Sequence, residues 1–197
     1  MGFPKASVRQ PYSLDAIVDV AVNEFLNRGY DGTSMDDLAR AAGISKSSFY
    51  HHISGKEQLL RLGVSRALDA LFAVLDEPEA TSGAHVDRVR HILRRTADVI
   101  VDKTPEVALL IRVRGNTETE RWALERRREF DRTVVRLVRQ AVRNGDIRSD
   151  VDPALLTRLL FGMVNSVVEW YQPGGRQTAR QLADAVERVA LTGMQAT

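Results

Sequence analysis

A chain of 197 residues, 44% hydrophobic and 27% charged, has the composition of an ordinary folded protein of one or two small domains. The absence of cysteine excludes disulfides and thiolate metal sites, and no apolar run approaches the roughly 18 residues of a membrane span. A formal net charge of +2 is too small to argue for a nucleic-acid partner by itself. The N-terminus lacks the apolar core of a signal peptide, and Ala6 stands where a myristoylation signal needs Ser or Thr, so a cytoplasmic protein is expected.

Met1 to Pro11 carries two prolines and no periodicity, and reads as a mobile arm. The first helix is expected from about Ser13 to Arg28, with Ile17, Val20, Ala21, Phe25 and Leu26 on one face and Gly29 as its stop. Thr33 reads as the cap of a second helix, with Asp36 completing a capping box, and Met35, Leu38 and Ala41 or Ala42 recur at helical spacing. Gly43 ends it at a position that needs positive φ, and Ile44 fills the turn. Ser45 caps a helix from Lys46 to about His52. Ser54 caps the fourth, with Glu57 at its third helical position; this helix carries Leu59, Leu60, Val64, Leu68, Leu71, Phe72 and Leu75. It is long enough to run from one domain into the next.

Glu77 to Gly83 reads as a polar loop, and a fifth helix follows from about His85 to Asp102. Thr104-Pro105, a cap followed by proline at the first helical position, opens a short helix to about Arg114, which Gly115 breaks. Thr117 and Glu120 form a capping box at the head of a long helix to about Asn144. Asp152-Pro153 opens a helix ending near Tyr171, Pro173-Gly174-Gly175 is a hard stop, and Thr178 with Gln181 opens the last helix. No stretch shows sustained two-residue alternation, so no sheet is expected. The expected fold is all-α with about nine helices: an N-terminal domain over 1–56 and a helical domain over 57–197.

A helix, a short glycine turn and a second short helix form the helix-turn-helix pattern, which places one helix in the major groove of DNA. The stretch GYDGTSMDDLARAAGISKSSFYHHISGKEQLL, Gly29 to Leu60, resembles the DNA-binding segment of the TetR family of bacterial regulators. Gly29, Tyr30, Thr33, Ala42, Gly43, Ser45, Tyr50, Lys56, Glu57 and Leu60 fall in place, whereas Ile53 stands where that family usually has Phe. The resemblance implies a DNA-binding regulator, a repressor bound as a homodimer to double-stranded DNA at a near-palindromic operator. It also implies a second domain that takes a small-molecule effector.

The DNA-contacting residues are then expected to be Thr33, Ser45, Lys46, Ser47, Ser48, Tyr50, His51 and Lys56, with Phe49 in the core. Thr33 has a first role as a cap. Lys56, unfavourable at a helix N-terminus, suggests another use, a phosphate contact. The domain is neutral overall, with Lys5, Arg9, Arg28, Arg40, Lys46 and Lys56 balanced by Asp15, Asp19, Glu24, Asp31, Asp36 and Asp37. Few phosphate contacts per subunit and a modest salt dependence follow. The basic excess lies between Arg88 and Arg143.

Val168 to Gly175 resembles the subset of the family linked to fatty-acid, steroid or aromatic-acid catabolism, some members of which bind acyl-CoA thioesters. Phe72, Leu109, Trp122, Phe130 and Phe161 are expected as walls of an effector site, with Arg112, Arg114 and Arg121 at its mouth. A neutral hydrophobic ligand, and a solvated arginine surface with no ligand role, remain alternatives. The run from Phe161 to Trp170 is apolar or small nearly all round, which suits burial on two sides, within the chain and against a second subunit. Leu159, Gly162, Met163, Ser166 and Trp170, with Leu182, Val186 and Val189 of the last helix, are expected at a dimer interface.

Histidine spacing argues against a metal: His51 and His52 are adjacent, and His85 and His91 lie six apart. No phosphate loop, Gly-x-Ser-x-Gly or cysteine is present, so neither an enzyme nor a cofactor is expected. The alternative function is a DNA-binding regulator or architectural protein with no small-molecule effector.

Overall fold

The computed structural model describes residues 13–172 and 174–194; the expected N-terminal arm and Pro173 of the hard stop lie outside them. Ten helices follow one another: α1 (Leu14–Arg28), α2 (Met35–Ala41), α3 (Lys46–His52), α4 (Lys56–Asp76), α5 (Pro78–Thr81), α6 (His85–Asp102), α7 (Thr104–Arg112), α8 (Glu118–Arg143), α9 (Pro153–Trp170) and α10 (Ala179–Met194). No strand occurs among the described residues. The chain divides into two compact units, Met1–Leu60 and Arg61–Thr197.

In the first unit Ser13 caps α1 by accepting from the Ala16 N–H at 3.2 Å, and Gly29 ends it at φ 79°. Ile17, Val18, Ala21, Val22 and Phe25 of α1 are buried, and so are Leu38, Phe49, Ile53, Leu59 and Leu60. Ile53 is only 1% exposed, so the smaller side chain at this position still fills core.

The cap of α2 is Ser34, not Thr33. Ser34 Oγ accepts from Asp37 N at 3.1 Å while the Asp37 carboxylate takes the Ser34 N–H at 3.1 Å. Two overlapping hydroxyl-x-x-Asp frames compete here, and burial decides between them. Thr33 is 1% exposed, and its hydroxyl donates to the Gly29 carbonyl at 2.7 Å, one of those left open past the end of α1. At Ser54 the N–H and hydroxyl both donate to Gln58 Oε1, at 2.7 and 2.9 Å, which helps close the turn before α4.

In the second unit α6 packs against α5, α7, α8, α9 and α10, burying Val89, Ile92, Leu93, Ala97 and Ile100. The expected polar loop contains the short α5, because Pro78 pre-sets its first turn and Ala80 is buried. Thr104 lies inside α7 rather than capping it. Only Lys103 separates α6 from α7, and the Thr104 hydroxyl turns back to the Ile100 carbonyl at 2.8 Å, an end group of α6. The capping boxes of α8 and α10 are present as expected, with Glu120 N to Thr117 Oγ1 and Gln181 N to Thr178 Oγ1 both at 3.2 Å. Asp152 caps α9 by accepting from Ala154 N and Leu155 N.

Glu120 does more than a cap requires. It is 6% exposed, and its Oε2 accepts from Gly115 N at 3.0 Å, Asn116 N at 2.6 Å and Thr117 N at 3.4 Å. The turn between α7 and α8 is thus closed around one carboxylate. Glu120→Ala is expected to destabilise the protein by about 1–3 kcal/mol, since three part-buried N–H groups lose their acceptor. Thr117→Ala, which removes only a cap bond, should cost about 1 kcal/mol. Urea denaturation of both variants gives the comparison.

Candidate nucleic-acid interface and ligand cavity

The turn between α2 and α3 is built by three backbone bonds. Ala42 N donates to Leu38 O at 2.9 Å, Gly43 N to Arg40 O at 3.0 Å and Ile44 N to Ala39 O at 3.1 Å, with Gly43 at φ 67°. The chain then re-enters a helix at Ser45, whose hydroxyl accepts from Ser48 N at 3.2 Å. Phe49, 1% exposed, anchors α3. Lys46, Ser47, Tyr50 and His51 form the exposed side of that helix, Tyr50 with 48% of its surface open. Ser48 is half-buried. One short helix therefore presents an ammonium, a hydroxyl, a phenol and an imidazole, groups that bond base edges and phosphates.

Several of the expected contacts have partners within the chain, among them the Ser45 and Ser47 hydroxyls, 3.1 Å apart. Lys46 Nζ pairs with Asp36 of α2 at 2.7 Å, and this bond raises the Lys46 pKa. Lys56 Nζ donates to the Tyr30 carbonyl at 2.8 Å and sits 4.3 Å from the centre of the Tyr30 ring. Its unfavourable place at the head of α4 is offset by that tether, which uses one of three ammonium protons. Thr33, buried and bonded inward, does not present its hydroxyl at the exposed side.

The second unit encloses a cavity of about 380 Å³, within the size range of small-molecule sites. Leu68 and Leu71 of α4, Leu110 of α7, Phe130 of α8 and Phe161 of α9 make its walls mainly apolar. Three charged side chains enter it: Arg127 and Asp131 of α8 and Arg158 of α9. Burial lowers the pKa of the Arg127 guanidinium, and Asp131 draws it back. Burial also raises the pKa of the Asp131 carboxyl, opposed by Arg127 and Arg158. Asp131 is exposed by area but lies between the walls of the cavity, so loss of hydration still dominates.

Of the expected effector residues, Phe130 and Phe161 line the cavity. Phe72 stands behind Phe130 in an edge-to-face contact at 5.9 Å. Leu109 is buried core at 4% exposure, and Trp122 lies under the Arg61 guanidinium, 3.1 Å from its ring centre. Arg112, Arg114 and Arg121 are exposed and are not among the lining residues; Arg121 instead donates to the Gly115 and Asn116 carbonyls, both at 3.3 Å. The arginines at the cavity are Arg127 and Arg158. A four-residue stagger in the sequence, Arg127–Asp131–Val135 on α8 and Ala154–Arg158–Gly162 on α9, carries that placement. The density of arginines around it hides the signal.

On α9, Leu155, Leu159 and Trp170 are exposed at 48, 60 and 53%, and exposed Gly162 and Ser166 continue the same stripe. Met163 is half-buried. On α10, Val189 is 61% exposed, whereas Leu182 and Val186 are buried within the chain at 5 and 6%. The inward row of α10 runs through 182, 186 and 190, and Ala185, Val189 and Gly193 face out. A Cβ on Gly162 would meet nothing within 4 Å, so nothing within this chain crowds the site.

Glu77, Glu79 and His91 bring potential ligand atoms within 4.8 Å of one another, a grouping that histidine spacing alone does not reveal. Glu77 is engaged by His91 and by Arg95 Nε at 3.1 Å, so the cluster reads as an ion-pair network.

A helix-turn-helix with an exposed recognition helix, joined to a helical unit with an enclosed cavity, defines a one-component DNA-binding regulator. Residues 17–62 match the profile "Bacterial regulatory proteins, tetR family", and residues 82–194 match "Tetracyclin repressor-like, C-terminal domain". The chain belongs to the TetR family of transcriptional regulators. It is 30% identical over 182 residues to the HTH-type transcriptional repressor KstR2 of Rhodococcus jostii, covering 90% of this chain and 89% of the relative. A TetR-family regulator from Streptomyces coelicolor A3 is 52% identical and superposes with a TM-score of 0.87, covering 95% of this chain and 94% of the other. AibR, crystallised with isovaleryl coenzyme A and operator DNA, is 29% identical with a TM-score of 0.75, covering 89% of this chain and 96% of AibR.

The first unit is expected to draw stability from Lys56 and little from the exposed Tyr50. Lys56→Ala should lower its stability by about 1 kcal/mol through loss of the Tyr30 tether. Tyr50→Ala should leave stability unchanged while weakening operator binding by tenfold or more, roughly one base contact. Amide hydrogen exchange across α1 to α3, set beside operator titrations, separates the two effects.

Proposed function

We propose that this protein is a homodimeric cytoplasmic repressor that leaves a near-palindromic operator when an anionic, largely apolar molecule fills the cavity. An acyl-CoA thioester is the favoured effector. The observation that carries this reading is the double use of α4. Its first turns place Leu59 and Leu60 in the core of the DNA-binding unit, and its later turns place Leu68 and Leu71 on the cavity wall. An occupant that favours one setting of α4 biases the DNA-binding unit by its differential affinity for the two settings.

In this reading Lys46, Ser47, Tyr50 and His51 face base edges, and the remaining protons of Lys56 reach phosphate. Arg127 and Arg158 hold the negative groups of the effector, and the leucines and phenylalanines take its acyl portion. AibR, a relative crystallised with a CoA thioester and operator DNA, supports the effector class. The exposed stripe of α9 and the outer row of α10 pair with a second copy, with Gly162 allowing close approach of the helices. The cavity groups bind rather than react, and no catalytic role is assigned to them.

Gly162→Glu should convert the dimer to monomer and abolish tight operator binding, because two half-sites then bind two independent subunits. Sedimentation showing a stable dimer would remove α9 from the interface. Asp131→Asn should raise the potency of acyl-CoAs in releasing operator DNA, since the carboxylate no longer competes for Arg127 and Arg158. Arg158→Glu should lower that potency. Both variants should bind operator normally without ligand. If an uncharged hydrophobic compound releases DNA and no thioester does up to millimolar concentration, the effector is not anionic.

A further inference from the structure

Two threonines line the cavity, each 2% exposed. Thr157 Oγ1 donates to the Pro153 carbonyl one turn back at 2.8 Å, the usual way a helical threonine satisfies a buried hydroxyl. Thr96, in the middle of α6, does not do this: its Oγ1 is sealed from solvent and has no hydrogen-bond partner. A buried hydroxyl without a partner is a standing penalty, and valine would fill the same space without it. The threonine therefore holds an unmatched hydrogen-bonding group at the cavity wall.

The layout of the cavity indicates what would match it. Two of its three charged groups, Asp131 and Arg158, are exposed, and the third, Arg127, turns its guanidinium to the Leu110 carbonyl. Thr96 belongs to the fully buried wall, with Leu68, Val107 and Leu110 as other apolar lining residues. A hydroxyl on this wall meets the apolar portion of an occupant, not its charged head. Threonine in a helix has two accessible side-chain rotamers, so the hydroxyl can change direction by a turn about Cα–Cβ without moving α6.

We propose that Thr96 reads a hydrogen-bonding oxygen, a keto or hydroxyl group, on the apolar part of the effector. The cavity then selects oxygenated acyl chains or ring systems over a plain hydrocarbon of equal size. This inference rests on the cavity being the effector site. A site built to bond an oxygen rejects the analogue that lacks it, because its own polar group is left unpaired.

The test compares the full-length protein with Thr96→Val and with Thr157→Val as control. Octanoyl-CoA and a set of oxo-octanoyl-CoAs, with the keto group moved carbon by carbon along the chain, are titrated against operator-bound protein and by calorimetry. The unaltered protein should favour at least one oxo-thioester over octanoyl-CoA by about tenfold, the worth of one bond to a buried hydroxyl. Thr96→Val should erase that preference, bind octanoyl-CoA at least as well, and melt at an equal or higher temperature without ligand. Thr157→Val should keep the preference. Arg158→Glu should weaken all the thioesters alike, which places them in the cavity. The proposal is overturned if the unaltered protein shows no preference, if Thr96→Val preserves it, or if Thr96→Val loses ligand-free stability as though a hydrogen bond had been cut. If no thioester binds the unaltered protein, the acyl-CoA reading fails first and this selectivity fails with it.

Discussion

Helix α4 is a single uninterrupted rod of 21 residues, and it has to satisfy two hydrophobic cores at once. Leu59 and Leu60 are fully buried in the first unit; Val64, Ala67 and Leu68 are buried in the second. The Lys56 tether to Tyr30 holds its start. Arg61 over Trp122, and Arg66 paired with Glu106 at 3.8 Å, hold its next turns.

Helix α9 divides its surface three ways. Leu156, Leu160, Val164 and Val167 fill the core; Ala154, Arg158, Phe161 and Asn165 line the cavity; Leu155, Leu159, Ser166 and Trp170 face outward. Gly162 sits where the cavity row and the outward row meet. Glycine inside a helix costs about 1 kcal/mol relative to alanine. The chain leaves room for a Cβ there, so its own packing does not account for the glycine.

Part of the arginine content of the second unit is paired with its own acids. Arg126 pairs with Glu129, Arg132 with Glu125, Arg94 with Asp184 and Glu187, and Arg95 with Glu77 and Asp98. Exposed pairs of this kind contribute little stability each. Arg127 differs. It is drawn into the apolar wall, donates to the Leu110 carbonyl at 3.3 Å, and keeps its charge because a guanidinium resists deprotonation even when burial lowers its pKa. Position around α8, not arginine density, separates it from Arg121.

The sequence by itself determined what depends on neighbours in the chain. Helical periodicity, the Thr117–Glu120 and Thr178–Gln181 boxes, the Asp152-Pro153 start and the left-handed Gly43 are short-range devices, and each stands where its residues place it. The register from Gly29 to Leu60 was legible for the same reason, and with it the recognition helix and the family. Tertiary structure decided every question in which two local solutions were equally good. Thr33 and Ser34 both fit a cap, and burial of Thr33 against the end of α1 gave the cap to Ser34. The sequence offers Lys56 to phosphate, and the fold adds a tether to the Tyr30 carbonyl at 2.8 Å that no local pattern shows. Leu182, Val186 and Val189 share an apolar pattern, but only packing turned the first two inward. Arg127, Asp131 and Arg158 belong to no local motif. They meet because α8 and α9 pack together, and helix periodicity fixes the face a residue occupies without fixing the neighbour that face will meet.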